Sequence, residues 1–185
     1  TQVHERGSYP NTSLNKYILT GNGNITYNNF KIDASFSYKK EKVPNMPRVN
    51  YGNGNIFYNM LIWSGTEYDV FDYKNYWKVK DRKQNWPFEA WYDNPYYIMN
   101  ERIHQQDKNL FTTNVTLSYD FMKNLSVIFR SGFDNYNNDE DYRQSIGDSG
   151  QKRGYYRYEQ HDGSSFNNDL IVKGDYSHND FGIDL

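Results

Sequence analysis

Apolar residues recur at every second position along several stretches of this chain, and this period constrains the fold more than any other feature. One stretch carries apolar residues or glycine at the odd positions from Tyr17 to Tyr27, and the next carries apolar residues at the even positions from Phe30 to Tyr38. Asparagines separate the two stretches. Side chains of a β-strand point alternately to opposite faces. The pattern therefore predicts a β-hairpin with one apolar face and one polar face.

The same period predicts two further hairpins. The three hairpins cover about residues 15–41, 109–136 and 166–185, with turns near 28–29, 122–124 and 178–180. Such short turns are typical of tight hairpins. The connections between the hairpins, about 42–108 and 137–165, are far longer than is usual in a compact domain. Short turns at one end of a sheet and long extracellular loops at the other are typical of outer-membrane barrels.

Aromatic residues stand at both ends of the apolar rows. The rows run from Tyr17 to Tyr27, from Phe111 to Phe121 and from Phe166 to Tyr176. At ~3.3 Å per residue and a strand tilt of ~40°, each row spans roughly 25 Å of the membrane normal. An outer-membrane barrel has an apolar band of that height with an aromatic girdle at each rim. We therefore predict an all-β fold, in which residues 1–185 supply about six strands of one membrane-spanning antiparallel β-barrel domain.

The composition is compatible with such a barrel. Mean hydropathy is -1.03, because only alternate strand residues face lipid. Aromatic residues make up 18% of the chain, too many for a disordered protein, and a formal net charge of -2 gives no basic surface for nucleic acid. Cysteine is absent, which excludes disulfides and thiolate metal sites. The chain opens without the apolar segment of a signal peptide, so we expect it to be part of a longer protein.

No motif in the sequence indicates catalysis or a cofactor. The spacing of residues offers neither a nucleophile with its base nor a pair of carboxylates, so we expect no enzymatic activity and no cofactor. Asn135, Asn137 and Asp139 alternate oxygen ligands, but the glycine and the distal glutamate of a calcium loop are missing. Calcium in the extracellular loops therefore stays a minor alternative.

Two groups of residues are candidates for function. All four tryptophans lie in the first long connection, where aromatic side chains could contact a ligand or a partner or could form the core of the loop itself. These aromatic candidates are Trp63, Trp77, Trp86, Trp91, Tyr92, Tyr96 and Tyr97. A short helix is predicted near residues 55–63 in the same connection. Polar candidates that would face a lumen are Lys31, Asp33, Asn114, Arg130, Asp169 and Lys173.

Four segments resemble a known family. They are residues 8–17 (SYPNTSLNKY), 59–66 (NMLIWSGT), 91–97 (WYDNPYY) and 129–134 (FRSGFD). In order and spacing they resemble the SusC/RagA family of TonB-linked outer-membrane transporters of Bacteroidetes, with Ser131 replacing a more usual small or β-branched residue. The resemblance extends over most of the chain, although no single segment is diagnostic.

The resemblance implies a 22-stranded barrel in the bacterial outer membrane. Such a barrel is closed by an N-terminal plug domain, which this chain lacks, and is capped by a SusD-like lipoprotein. The implied function is active import of a nutrient with energy delivered through TonB, and the nutrient is a glycan or an oligopeptide. Two other functions stay open: a passive outer-membrane porin, and a soluble all-β carbohydrate-binding or adhesin module. The porin would lack a plug, and the soluble module would need no detergent.

Overall fold

The structure, a computed structural model, describes residues 1–49, 51–178 and 181–184. Antiparallel strands dominate it, so the predicted all-β class is confirmed. In chain order the elements are β1 (Gln2–Arg6), β2 (Ser13–Tyr27), β3 (Phe30–Val43), α1 (Ile56–Trp63), a 3-10 helix (Val70–Tyr73), β4 (Trp77–Val79), β5 (Lys83–Gln84), α2 (Pro95–Glu101), β6 (Arg102–Met122), β7 (Leu125–Gln144), β8 (Tyr155–His178) and β9 (Phe181–Asp184). No helix among these residues is long and apolar enough to cross a membrane.

Seven strands form one antiparallel sheet in the order β1-β2-β3-β6-β7-β8-β9, and β4 pairs with β5 in a separate ribbon. Strands of the sheet therefore pair in the order of the sequence, with residues 44–101 inserted between β3 and β6. In the described part of the chain, β1 and β9 lie at the two edges of the sheet, which is not closed there. The sheet has one strand more than the six expected from the sequence.

The register aligns the apolar residues of five strands on one face. Ile25 lies opposite Ile32, Ile32 opposite Leu117, Leu117 opposite Phe129, and Phe129 opposite Leu170. Neighbouring rows on the same face repeat this composition, for example Phe30 opposite Tyr119. A slip of one residue in any pair would move a whole apolar row to the other face, so the pattern itself specifies the register.

This apolar face has no second layer over it in the described structure. Leu19 is 60% exposed, Ile25 66% and Leu170 71%. The buried apolar residues of the described chain lie instead between β3 and β6: Ile56, Trp86, Tyr92, Tyr97 and Ile98. A large contiguous apolar surface of this kind marks an interaction site on a soluble protein or a surface that meets a membrane.

Farther from the tight turns the same face becomes polar. Asn15 lies opposite Lys42, Lys42 opposite Asp107, and Asp107 opposite Asp139. Lys42 Nζ also forms an ion pair with Asp107 Oδ2 at 3.3 Å. The apolar surface is therefore a band of limited height that ends toward the long connections.

Most of the strand boundaries follow the sequence, but two expectations about the connections were wrong. The predicted loop 137–165 is strand over most of its length, and β7 and β8 are joined by residues 145–154 alone. Likewise β6 begins at Arg102, so the predicted loop 42–108 shortens to residues 44–101. In both places charged and amide side chains stand on both faces among a few tyrosines, so the apolar period is lost, although backbone hydrogen bonds continue the ladder.

The first two turns and helix α1 fall near their expected positions, whereas α2 and the 3-10 helix were not predicted. Tyr27 pairs with Phe30 across a two-residue turn in which Asn28 has a φ of 50°, a left-handed conformation typical of tight hairpins. Helix α1 begins at Ile56, and the side chain of Asn55 accepts a hydrogen bond from the backbone N–H of Tyr58. The third predicted turn, at 178–180, includes residues 179 and 180, which lie outside the described residues, as does the predicted strand end at residue 185.

Candidate ligand-binding site

Residues 44–101, here called the loop module, carry a small core of their own made of aromatic rings. The Trp86 ring lies edge-on to Tyr73 at 5.0 Å, and it also contacts Phe88 at 5.6 Å and Tyr92 at 5.8 Å between centroids. Phe88 and Tyr92 stack at 5.5 Å. Offset and edge-on pairs of this kind stabilise a core beyond the area they bury. The module is thus an ordered body.

Tyr97 joins this core to the ends of the strands. Its side chain on α2 is fully buried, contacts Trp77 edge-on at 5.3 Å, and donates a hydrogen bond from its hydroxyl to the carbonyl oxygen of Ser145 at 2.8 Å. Burial, together with nearby carboxylates, raises the pKa of Tyr97 far above its usual range. Beside it, burial and a 2.8 Å hydrogen bond to Glu101 raise the pKa of Tyr76 to about 12.

A buried charged cluster completes this attachment. Arg102, the first residue of β6, donates hydrogen bonds to Asp93 of the loop module and to Asp148 of the connection 145–154. The side chains of Asp93 and Asp148 are 0% exposed and that of Arg102 is 7% exposed. Burial raises the pKa of Asp93, and the charge of Arg102 opposes that rise. Asp93 also accepts hydrogen bonds from Gln84 Nε2 at 2.6 Å and from the backbone N–H of Ser149 at 2.8 Å.

Gly147 lets the connection 145–154 approach the loop module closely. Its φ is +92°, and a β-carbon added there would lie 2.8 Å from the ring of Trp77. We expect Gly147→Ala to lower the free energy of local unfolding in this region by about 1–3 kcal/mol, because alanine would be strained at this φ and would collide with the ring. Hydrogen exchange of the backbone amides of residues 145–150 measures this change.

Gly150→Ala is the matched control for that experiment. A β-carbon at Gly150 would meet its nearest atom, Asp148 Oδ1, at an ordinary 3.5 Å. Equal loss of protection in the two variants would contradict the role assigned to Gly147.

Between the start of α1 and the end of the loop module lies a cavity of about 360 Å³, here called the aromatic cleft. The side chains that line it are Tyr51, Asn53, Tyr58, Asn59, Trp63, Trp91 and Tyr92. Trp91 is 80% exposed and Trp63 is 56% exposed, so both rings face solvent. The rings of Tyr51 and Tyr58 contact each other at 4.7 Å. Ligand sites are typically concave, mostly apolar or aromatic, with a few oriented polar groups.

Hydrogen bonds hold the floor of the aromatic cleft in place. The Asn53 side chain accepts from the backbone N–H of Asp93 at 2.9 Å and donates to Ser149 Oγ. Asn59 Nδ2 donates to the carbonyl oxygen of Asn53 at 3.1 Å. The cleft is therefore tied directly to the charged cluster, and its shape is set before any ligand arrives.

The seven aromatic candidates lie in three places, namely the cleft, the core and half-buried positions outside the cleft, and Tyr92 belongs to the first two. Trp63, Trp91 and Tyr92 line the aromatic cleft. Trp86 and Tyr97 are buried in the core, as is most of Tyr92, while Trp77 and Tyr96 are half-buried outside the cleft. Some of the candidate rings therefore form the core of the loop, and others are placed to contact a ligand, as the two interpretations of the sequence allowed. The other four side chains of the cleft were not among the sequence candidates: Tyr51, Asn53, Tyr58 and Asn59. The helix predicted near residues 55–63, with Asn55 as its N-cap, is the signal that could have pointed to their segment.

The six polar candidates share the face opposite the apolar band. Three of them lie in one row, with Asp33 opposite Thr116, Thr116 opposite Arg130, and Arg130 opposite Asp169. Lys31 Nζ forms an ion pair with Asp33 Oδ2 at 3.1 Å. The other two occupy the same face, Asn114 opposite Ser35 and Lys173 opposite Ser126.

The three residues considered for calcium lie within strand β7 instead of a loop. Asn135, Asn137 and Asp139 alternate along one face of that strand, about 6.6 Å apart from one to the next. This spacing suits one cation poorly, since calcium ligands lie within 2.3–2.6 Å of the ion. Among the described residues no group of three histidine or carboxylate side chains is placed to hold a metal ion.

Neither the comparison with protein-family models nor the comparison with curated proteins finds a match for this chain.

Proposed function

We propose that this chain forms part of the wall and one outer loop of a TonB-dependent transporter, which imports a nutrient across the bacterial outer membrane together with a SusD-like lipoprotein. The observation that carries the proposal is the apolar band. Five strands place their apolar residues in common rows, and those residues remain exposed in the described structure. A band of limited height with exposed apolar residues suits the hydrocarbon core of a membrane.

The opposite face of the sheet supports the same proposal. It carries Asp33, Arg130 and Asp169 in one row, and transmembrane barrels alternate apolar residues toward lipid with polar residues toward the lumen. The proposal requires further strands beside β1 and β9, because unpaired strand edges are too costly in lipid. These polar residues would then line the lumen or contact a plug domain.

The loop module supports transport more than it supports a bare channel. Strands β6 and β7 continue beyond the apolar band, and the charged cluster of Arg102, Asp93 and Asp148 fixes the loop module to their ends. In this position the aromatic cleft would face the outside of the cell, where nutrient is captured. Residues 59–66 and 91–97 resemble segments of SusC/RagA transporters. This resemblance is the reason that the proposal includes energy coupling through TonB and a lipoprotein partner.

Nutrient uptake by whole cells tests the proposal. We expect deletion of the gene to remove uptake of a fluorescently labelled pool of either oligosaccharides or oligopeptides. We also expect an uncoupler that collapses the proton gradient to stop the same uptake in the parent strain, because TonB draws its energy from the inner membrane.

Each alternative predicts a different result. Uptake that depends on the gene but persists with the uncoupler would identify a passive porin. A native protein that partitions into the aqueous phase of a detergent extraction would identify a soluble module.

A further inference from the structure

We infer that Arg6, Lys40 and Lys42 bind the phosphate groups of outer-leaflet lipids, on the face of the sheet that carries the apolar band. These three side chains are here called the cationic rim. The inference rests on the proposed function for one point, namely that the apolar band faces a membrane. The partner it names is a phosphorylated lipid headgroup, bound at a surface separate from the aromatic cleft.

Lys40 and Lys42 lie just beyond the aromatic end of the apolar band. Lys40 follows Tyr38 by two residues on β3 and lies opposite Tyr17 on β2, and Lys42 is two residues farther along β3. At ~3.3 Å per residue and a strand tilt of ~40°, Lys40 lies roughly 5 Å and Lys42 roughly 10 Å beyond Tyr38 along the membrane normal. The headgroup region of a bilayer extends about 5–8 Å beyond the hydrocarbon on each side, and flexible lysine stems can reach that depth. This end of the band is far from the tight turns, so the headgroups belong to the outer leaflet when the short turns are periplasmic.

Strand β1 adds a third cation to the same face. Arg6 lies opposite Ser13, which is two residues from Asn15, and Asn15 lies opposite Lys42. Side chains two residues apart on a strand share a face, so Arg6 and Lys42 point to the same side of the sheet. Arg6 is exposed. A guanidinium can hold a phosphate through two parallel hydrogen bonds.

The positive charge of the cationic rim exceeds the negative charge beside it. Lys42 Nζ pairs with Asp107 Oδ2 at 3.3 Å, and the other two members form no ion pair with a residue that the structure describes. The carboxylates of β1 and β3, Glu5 and Glu41, belong to the opposite face of the sheet. Three cations therefore stand beside one carboxylate, and an anionic headgroup would be attracted without displacing an internal partner from the two unpaired cations.

Farther across the sheet the same face becomes acidic. Asp139 on β7 lies opposite Asp107, and Asp141 and Asp162 lie on the same face of β7 and β8. Among the described residues of this part of the face, Arg143 is the single cation, and it pairs with Asp141 at 2.6 Å. These carboxylates would repel a phosphate, so we expect the lipid headgroup over β1–β3.

The neighbouring apolar band makes a lipid, and not free phosphate, the partner of the cationic rim. Tyr17 is 44% exposed and Leu19 is 60% exposed on the same face, so the acyl chains of a lipid would contact them directly. Exposed cations bind a free anion weakly in water. A lipid whose chains lie against the apolar band holds its phosphate at the depth of the cationic rim, and the two contacts therefore reinforce each other.

Native mass spectrometry of the native, full-length protein tests this inference. The protein is purified in lauryldimethylamine oxide and titrated with bisphosphorylated lipid A, and separately with the same lipid A after enzymatic removal of its phosphates. We expect the phosphorylated lipid to bind about tenfold more tightly or better. Inorganic phosphate in large excess should not displace it, which distinguishes a lipid headgroup from a free anion.

Paired substitutions connect binding to the named side chains. Lys40→Gln together with Lys42→Gln should weaken the binding of bisphosphorylated lipid A by roughly tenfold to thirtyfold and leave the binding of the dephosphorylated lipid unchanged. Lys39→Gln together with Lys108→Gln is the matched control, because it removes the same charge near the same height from the opposite face of the sheet. Far-ultraviolet circular dichroism checks that both double variants keep the native β-structure.

The inference is overturned if the two forms of lipid A bind alike, if inorganic phosphate displaces the lipid, or if the control pair weakens binding as much as the change at Lys40 and Lys42. Failure of the proposed function is distinguishable. Phosphate-dependent lipid binding by a protein whose gene is not needed for uptake would refute the importer alone. Energy-dependent uptake by a protein that binds both forms of lipid A equally would refute the cationic rim alone.

Discussion

Replacement of Arg102 by alanine should release the loop module from the strand ends at a cost of about 3–5 kcal/mol, because the change leaves two buried carboxylates without their cation. Asp93 and Asp148 are both 0% exposed, and both accept hydrogen bonds from Arg102. Hydrogen exchange of the amides of Tyr97 and Ile98 measures the free energy of local opening. Both residues are buried on α2, and the last residue of that helix, Glu101, directly precedes Arg102.

Two further variants make this experiment specific. Arg143→Ala removes a surface pair, since the Arg143 side chain is 53% exposed and bonds Asp141 at 2.6 Å, and should cost no more than about 1 kcal/mol. The triple change Asp93→Asn, Asp148→Asn and Arg102→Met should recover much of the loss, because it removes the uncompensated charges. An Arg102→Ala effect as small as that of Arg143→Ala would contradict the buried cluster.

Arginine at the centre of the apolar band should be the second large perturbation. Val115 lies on the apolar face, opposite Ala34 on β3 and Ser131 on β7, near the middle of the row that runs from Phe111 to Phe121. Val115→Arg should destabilise the folded protein by about 2–4 kcal/mol if this position faces the bilayer midplane, as the proposed function requires. Folding into lipid vesicles, titrated with urea, measures the difference.

Asn114→Arg is the control at the same depth. Asn114 occupies the opposite face, between Ser35 and Gly132, neither of which carries a charge. Arginine there would face a polar interior, so its effect should be far smaller than that of Val115→Arg. Equal effects of the two changes would contradict the assignment of the faces.

The sequence predicts the part of the sheet in which one face is apolar and the other is polar. Apolar residues or glycine occupy every second position from Tyr17 to Tyr27 and from Phe30 to Tyr38, with Ile18 as an exception on the polar face. Strands β2 and β3 fall within about two residues of their expected bounds. The period fails at 137–144 and 155–165, where polar residues and tyrosines stand on both faces. Hydropathy therefore no longer marks the strand there, although its backbone ladder continues. Strand β1 is missed because its five residues include a single apolar one, Val3, which gives no periodic signal.

The site is less accessible to sequence reasoning because distant segments build it. Asp93 and Asp148 are separated by 55 positions, and only their shared contact with Arg102 reveals their role. Composition identifies the loop module as rich in aromatic rings, yet Trp86 and Trp91 differ in burial although they are five residues apart. The N-cap of α2 is a signal that could have been used, since Asn94 precedes Pro95 at the first turn.

Period-two contact with lipid along β6 is the most direct test of the central claim. The chain has no cysteine, so single cysteines can be introduced at each position from Phe111 to Tyr119, labelled with a fluorophore, and exposed to lipids that carry a nitroxide quencher in their acyl chains. The account predicts strong quenching at the odd positions and weak quenching at the even positions between them. Uniform quenching along the strand, or protection of both sets from the lipid quencher, would contradict it.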